Sequence, residues 1–172
     1  HPTSVGRIAS RYYLGHETIA IFATRLRNGI READALDCMS RATDFAQIPL
    51  RDSEEDELTG LQERVPCQVP GGTATAPGKV NILLQAHISH LFIEDFALVS
   101  DARYVAQNAG RVLQALFELS LDRGFATAAS AFLNLAKSVD KCVWPFEHPL
   151  RQYPTLNADV IHRITTVSYT HL

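Results

Sequence analysis

The segment from Phe96 to Arg123, FALVSDARYVAQNAGRVLQALFELSLDR, is the longest uninterrupted periodic stretch of the chain and predicts one long helix. At about 100° per residue, its apolar side chains gather on roughly half of the helix circumference. An arc of this width can be buried against several neighbours, so we predict that other helices pack around this central helix. The apolar arc consists of Leu98, Ala102, Val105, Ala109, Val112, Leu113, Leu116, Leu119 and Ser120.

The opposite face of the same segment is polar, and its residues are spaced by three and four, so they form one ridge. Guanidinium and amide groups on such a ridge can hold a phosphate backbone or base edges. A solvated helix face carries the same pattern, so both interpretations stay open at this point. The ridge consists of Ser100, Arg103, Gln107, Arg111, Gln114 and Glu118.

Two further expectations concern this ridge. A glycine inside a helix costs about 1 kcal/mol relative to alanine, so Gly110 indicates either a bend or a close approach by another chain. Exposed helix positions tolerate substitution. We therefore expect the double substitution Arg111→Ala with Gln107→Ala to leave the thermal stability nearly unchanged.

The composition indicates one globular domain. The chain has 172 residues, of which 46% are hydrophobic and 20% charged, enough for a proper core. A formal net charge of −3 excludes a generally basic nucleic-acid binder, so any such binding must depend on a local patch. The three scattered cysteines lack CxxC spacing and indicate reduced intracellular thiols. No apolar run approaches about 18 residues, which argues against a membrane protein, and we expect a nuclear or cytoplasmic one.

The rest of the chain also predicts helices, and no strand pattern competes. The fold class is therefore all-α, a bundle of about six or seven helices with short connections. Five carboxylates between Asp52 and Glu57 are expected in the first turn of a helix, stabilising its dipole and facing solvent. The remaining predictions are a Thr3-capped helix through Tyr13, one begun or capped by Thr18 and ending near Gly29, helices over 32–42, 79–91 and 126–143, a loop over 66–78, an extended linker over 150–153, and a last helix capped by Asn157.

Familiar catalytic and metal motifs are missing. A phosphate-binding GxxxxGK loop ending at Gly78-Lys79 would need glycine at Thr73 and a hydroxyl at Val80, so Lys79 is expected to open a helix instead. His87 and His90 have i, i+3 spacing but no accompanying cysteine or carboxylate with ligand spacing, so we expect no metal site. The sequence also contains no GxSxG, HExxH or Cys-His signature, and we assign no catalytic residue.

Four sequence blocks follow one another in a characteristic order. They are Thr3-x-x-Gly6-Arg-Ile-Ala-Ser10-x-Tyr-Tyr13, Gly78-Lys-Val-Asn-Ile-Leu-Leu-Gln85-x-x-Ile-Ser89, Tyr104-Val-Ala-Gln-Asn-Ala109-x-Arg111 and Pro149-Leu-Arg-Gln-Tyr153. Together they resemble the Sec sixty-three homology unit, which follows the motor cassettes of Ski-like RNA and DNA helicases. The loop at Pro70-Gly-Gly72 is most similar to first cassettes of the helicase subunit of the activating signal cointegrator complex, with spliceosomal helicase cassettes as the runner-up.

The resemblance implies a role for the central helix. In such helicases a ratchet helix of the bundle touches the translocating single strand, RNA or DNA, so that ATP-driven closure moves it 3′ to 5′. By order and periodicity, the resemblance assigns nucleic-acid contact to Arg103, Gln107, Arg111, Gln114 and Glu118, with Lys79 and Arg151 as weaker candidates. ATP and Mg²⁺ would bind in upstream RecA-like domains, next to a winged helix. Cointegrator complex subunits are further possible partners, and a protein–protein interaction platform is the alternative function.

The resemblance also divides the chain. It implies a helical bundle over residues 1–153 and the start of a helix-loop-helix domain over 154–166. The first residue is His1 rather than methionine, and residues 167–172 look like read-through of a sequencing adapter. We therefore expect a fragment of a longer protein that lacks ATPase motifs and is not catalytic alone.

Overall fold

The computed structural model describes residues 3–153 and 155–169, and within these ranges the chain forms α-helices and short 3₁₀ turns but no strand. The predicted all-α class is confirmed. Seven helices form the bundle, and an eighth follows it. They are α1 (Ser4–Arg11), α2 (His16–Arg25), α3 (Glu32–Ser40), α4 (Glu55–Arg64), α5 (Ala76–Ile88), α6 (Phe96–Asp122), α7 (Ala126–Lys141) and α8 (Ala158–Tyr169).

The central helix α6 has nearly the predicted bounds. Asp95 caps it, because its carboxylate accepts a hydrogen bond from the backbone N–H of Leu98 at 2.9 Å. Every residue of the apolar arc is buried, which confirms the prediction from periodicity. The helix packs along α7 and also contacts α5, α3 and α1. It passes through Gly110 without a break in its hydrogen-bonded pattern.

Several predicted helix ends are wrong by a few residues because backbone conformation and capping decide them. Thr3 caps α1 as predicted, but α1 ends at Arg11 because Tyr13 adopts a left-handed conformation with φ of 53°. Helix α7 ends at Lys141 for the same reason, since Cys142 has φ of 51°. Thr18 does not begin α2. It is buried inside the helix, and its hydroxyl lies 2.6 Å from that of Thr43.

Two segments predicted to be irregular contain helical turns. Helix α5 begins at Ala76, inside the predicted loop, because the hydroxyl of Thr75 caps the N–H of Gly78 at 3.1 Å. Gly78 is needed there, since a Cβ would stand 1.9 Å from the carbonyl oxygen of Gly72. The segment Pro149–Gln152 is a 3₁₀ helix rather than an extended linker. Pro154, which was expected to close that linker, lies outside the described residues.

The acidic segment also differs from its prediction. Asp52–Glu54 forms a 3₁₀ turn before α4, and Glu55 and Asp56 are exposed in the first turn of α4, as expected. Glu54, however, is buried, with its side chain only 1% exposed, and it pairs with Lys79. The carboxylate of Glu57 accepts hydrogen bonds from the N–H groups of Glu94 and Asp95, so it fixes the entry into α6.

The backbone of α8 is helical from Ala158 to Tyr169 and therefore includes the first three of the six residues expected to be adapter sequence. The carboxamide of Asn157 accepts from the N–H of Asp159 at 3.3 Å, at the predicted cap. Residues 170–172 lie outside the described part, and the proposed domain boundaries remain predictions. None of the described helices is long and apolar enough to cross a membrane.

Candidate nucleic-acid interface

The polar ridge of α6 divides into two parts. Arg103, Gln107 and Gln114 are exposed, and within the described ranges they form no hydrogen bond or ion pair. We call these three residues the exposed row. They lie within about 40° of one another around the helix axis at 100° per residue, and they span about 16 Å at 1.5 Å per residue. The row is therefore a straight strip of unpaired donors and acceptors.

Gly110 lies on the same strip, between Gln107 and Gln114. A Cβ added at Gly110 would meet no atom of the described structure within 4 Å. No packing contact within the described residues therefore explains the glycine, and α6 does not break at it. The glycine leaves a notch in the exposed row, where the helix backbone is open to a second molecule.

Arg111 lies beside the exposed row and is held by intramolecular bonds. Its Nη1 donates to the carbonyl oxygen of Tyr12 at 2.6 Å and to that of Tyr13 at 3.4 Å. Its Nη2 donates to Oδ1 of Asp44 at 2.6 Å and to Oδ1 of Asn108 at 3.1 Å. The side chain is 29% exposed. The guanidinium therefore joins α6 to the end of α1 and to the turn that carries Asp44.

Glu118 is held on the same side of α6. Its carboxylate accepts from Nη1 of Arg11 at 2.9 Å and from the hydroxyl of Tyr12 at 2.7 Å. Burial and this hydrogen bond to Glu118 raise the pKa of Tyr12. One helical turn further along, the hydroxyl of Ser4 donates to Asp122 at 2.9 Å. Helix α1 therefore runs antiparallel to the C-terminal half of α6 and ends beside Arg111.

These contacts change one expectation from the sequence. The premise that Arg111 is an exposed, tolerant position is wrong, because Arg111 makes charged hydrogen bonds and is partly buried. We therefore now expect the double substitution of Arg111 and Gln107 by alanine to lower the stability. Local sequence gave no signal for this, since Asp44 lies 67 residues away along the chain. Contact of Arg111 and Glu118 with nucleic acid stays a prediction, as it does for the exposed row.

Comparison with known proteins identifies the family. The family model described as the Sec63 Brl domain matches residues 2–171, almost the whole chain. The chain belongs to the Sec63 Brl domain family. The resemblance drawn from the four sequence blocks is thereby confirmed.

Relatives from two groups of helicases match this Sec63 Brl chain at similar sequence identity. The human U5 small nuclear ribonucleoprotein 200 kDa helicase is 40% identical over 162 residues, or 94% of this chain and 8% of its own length. The activating signal cointegrator 1 complex subunit 3 of Dictyostelium discoideum is 39% identical over 168 residues, 98% of this chain and 8% of its own. The DExH-box ATP-dependent RNA helicase DExH12 of Arabidopsis thaliana is 39% identical over 162 residues. The chain thus spans less than a tenth of these relatives.

Lys79 and Arg151, the two weaker candidates for nucleic-acid contact, have different surroundings in this Sec63 Brl bundle. Lys79 is wholly buried, and its ammonium group donates to Glu54, Asp101 and the carbonyl oxygen of Pro49 at 2.6 to 2.8 Å. A nucleic-acid strand therefore cannot reach Lys79, and its assignment as a weaker candidate for nucleic-acid contact is wrong. Lys79 also lies in the first turns of α5 rather than opening it. Arg151 is exposed, lies in the 3₁₀ helix after α7 and pairs with Glu147 at 3.1 Å.

The two histidines near the end of α5, His87 and His90, lie in different environments. His90 is exposed, and its Nε2 lies 3.1 Å from the carbonyl oxygen of Cys142. His87 is half-buried, its Nε2 lies 3.4 Å from Sγ of Cys142, and burial lowers its pKa. The sequence could not indicate this thiol, since it comes from the end of α7. In the described ranges, no group of three or more possible ligand side chains could hold a metal ion.

Proposed function

We propose that this chain is a helicase-associated helical bundle that guides a single nucleic-acid strand along α6, as part of a large ATP-dependent 3′–5′ helicase. The observation that carries the proposal is the exposed row with its notch at Gly110. An Arg and two Gln side chains without intramolecular partners are available to phosphates and bases. Proteins that hold single strands without sequence preference combine positive charge with contacts of this kind along a groove.

Charge and family support the same assignment. Arg103 is the exposed cation of the row, whereas the charges of Arg111 and Glu118 are balanced by Asp44 and Arg11. The relatives include a protein named as an RNA helicase. Under this proposal, ATP and Mg²⁺ bind in RecA-like domains upstream, and the bundle supplies no catalytic group. It works in the nucleus or the cytoplasm, on single-stranded RNA or DNA.

Within the proposal, Arg111 and Glu118 have a second role in addition to any contact with the strand. They fasten α1 and the Asp44 turn to α6, which fixes the surface beside the exposed row. A guanidinium with a carboxylate and two carbonyl acceptors is held in one orientation. The row therefore has a rigid border on this side.

The test is binding of the purified chain to fluorescein-labelled single strands of about 15 nucleotides, within the range of single-strand site sizes, using oligouridine RNA and oligothymidine DNA. We expect affinity to fall steeply between about 50 and 200 mM salt. The row variant Arg103→Ala, Gln107→Ala, Gln114→Ala should bind at least about tenfold more weakly. Its salt slope should also fall by about 0.7, the value for one lost phosphate contact to a single strand.

A charge-matched control is available elsewhere on the surface. Arg64, Gln68 and Gln152 are likewise exposed, and their side chains form no hydrogen bond or ion pair with the rest of the described structure. Substituting all three by alanine should leave affinity and salt slope at the wild-type values. The proposal fails if the unmodified chain shows no salt-dependent binding, or if the row variant and this control bind equally well.

A second candidate is a protein-interaction platform, and one observation favours it. Phe96, the first residue of α6, is 86% exposed, and Phe92, four residues before it, is 75% exposed. Exposed aromatic residues of this size are typical anchors of protein interfaces. Cointegrator complex subunits are among the partners such a surface could bind. This candidate would be favoured by two results together. The double variant Phe92→Ser, Phe96→Ser loses binding to the protein partner, and the unmodified chain binds no nucleic-acid strand.

A further inference from the structure

We propose that Tyr13 is a base-stacking residue at the edge of the exposed row, so that a strand on α6 is held by an aromatic ring as well as by polar groups. This inference rests on the proposed function. Tyr13 is 87% exposed, which with Phe96 at 86% is the highest value among the large hydrophobic residues of the described structure. A tyrosine with this exposure is available to a flat ligand on either face of its ring.

The backbone holds Tyr13 in a conformation that tyrosine rarely adopts. Its φ of 53° is left-handed, at the position after a helix where glycine is the usual residue. The N–H of Leu14 donates to the carbonyl oxygen of Ala9 at 2.9 Å, and that of Tyr13 to Ser10 at 3.4 Å. These two bonds close a Schellman motif, and the buried side chain of Leu14 anchors it. Backbone geometry alone would therefore favour glycine at this position.

The position of Tyr13 relative to the exposed row follows from the contacts of α1. Along α1, Ser4 contacts Asp122, Arg11 contacts Glu118, and the carbonyl oxygens of Tyr12 and Tyr13 contact Arg111. Helix α1 thus runs towards the N-terminal half of α6 and ends at Arg111. Tyr13, the second residue after α1, is exposed to solvent at this end of the helix, next to Arg111.

The chemistry next to the ring suits a nucleobase better than an apolar protein surface. Arg111 carries its guanidinium 3.4 Å from the carbonyl oxygen of Tyr13, and the exposed row supplies arginine and carboxamide groups. Aromatic rings beside such donors stack bases of any sequence while the donors bind the backbone. Tyrosine also loses little conformational freedom on binding, because it has few rotatable bonds.

The test uses substitutions that separate the ring from the backbone. Tyr13→Gly removes the ring and relieves the left-handed conformation, so it should raise the melting temperature while weakening strand binding about fivefold or more. Tyr13→Phe retains a stacking face and should bind as the unmodified chain does. His90→Gly is a matched control. His90 is exposed just after α5 with φ of 53°, and its ring contacts the carbonyl oxygen of Cys142 after α7, so its loss should leave affinity unchanged.

A direct readout of stacking completes the test. A single strand of thymidines with one 2-aminopurine should lose fluorescence on binding to the unmodified chain and to Tyr13→Phe, and keep more of it with Tyr13→Gly. If Tyr13→Gly leaves affinity and quenching unchanged while the row variant binds weakly, the assignment of Tyr13 is wrong. The proposed function would still stand in that case. If the unmodified chain binds no strand, the proposed function and this inference both fall. If Tyr13→Gly instead lowers only protein-partner capture, the ring belongs to a protein interface and the inference is wrong.

Discussion

Lys79 carries its charge in the interior of the bundle, where its three N–H donors meet three acceptors. These acceptors are the carboxylates of Glu54 and Asp101 and the carbonyl oxygen of Pro49. Arg51 bonds both carboxylates as well, from the half-exposed edge of the cluster. The network joins the turn before α4 to α5 and α6. An ammonium group in the core is tolerated because no donor is left unsatisfied.

Removing this ammonium group should be costly. Within the described structure, Lys79→Met leaves Arg51 as the one remaining cation bonded to the carboxylates of Glu54 and Asp101. We expect a loss of about 3 to 5 kcal/mol in the free energy of unfolding, because Glu54 is buried. Adding Glu54→Gln should recover part of the loss, because one carboxylate is then left to pair with Arg51. Urea unfolding measures both. Lys137→Met, at an exposed position of α7, should change stability by less than about 0.5 kcal/mol. Equal stability of the Lys79 and Lys137 variants would show that the network contributes nothing.

At the scale of the element, α6 has two faces with different surroundings. Its apolar arc is buried by α7, α5, α3 and α1. Its polar face is partly covered by α1 through Arg111 and Glu118, and is open along the exposed row. Gly110 stands within the open part, where helix propensity alone would favour alanine.

A pair of glycines tests whether that notch serves binding. Gly110→Ala should raise the free energy of unfolding by up to about 1 kcal/mol, since its Cβ meets no neighbour. It should also weaken binding to single-stranded oligouridine, because the methyl group fills the notch. Gly60→Ala is the matched control, since Gly60 is exposed within α4 and has the same open surroundings. It should stabilise similarly with unchanged binding. Unchanged affinity in both variants would remove the notch from the interface.

At the scale of the whole molecule, α5 and α6 join two hydrophobic clusters. Helix α5 is buried on all sides from Gly78 to Ala86, and it contributes Val80 and Leu84 to the larger cluster and Ile82 to the smaller one. A helix that is buried all round cannot leave the core without opening both clusters. We therefore expect the bundle to unfold as one cooperative unit.

The thiol of Cys38 offers a probe of this cooperativity. Cys38 is 2% exposed, and burial raises its pKa to about 12. In a variant with Cys67→Ser and Cys142→Ser, we expect Ellman's reagent to modify Cys38 at least about a thousandfold more slowly than in the urea-unfolded chain, because modification requires global opening. A variant that keeps only the half-exposed Cys67 should react faster. Comparable rates for the two variants would indicate local opening around α3.

The sequence by itself determined the all-α class, the span of the central helix, its buried arc and the cap at Thr3, because helical periodicity and capping are local properties. The four sequence blocks were also sufficient to indicate the family. Only the tertiary structure decided which polar residues stay free. Arg111 is engaged by Asp44 and α1, and Lys79 by Glu54 and Asp101, through partners 22 to 99 residues away. Periodicity shows which side of a helix is polar, whereas the neighbouring helices decide which of those groups remain available to a ligand.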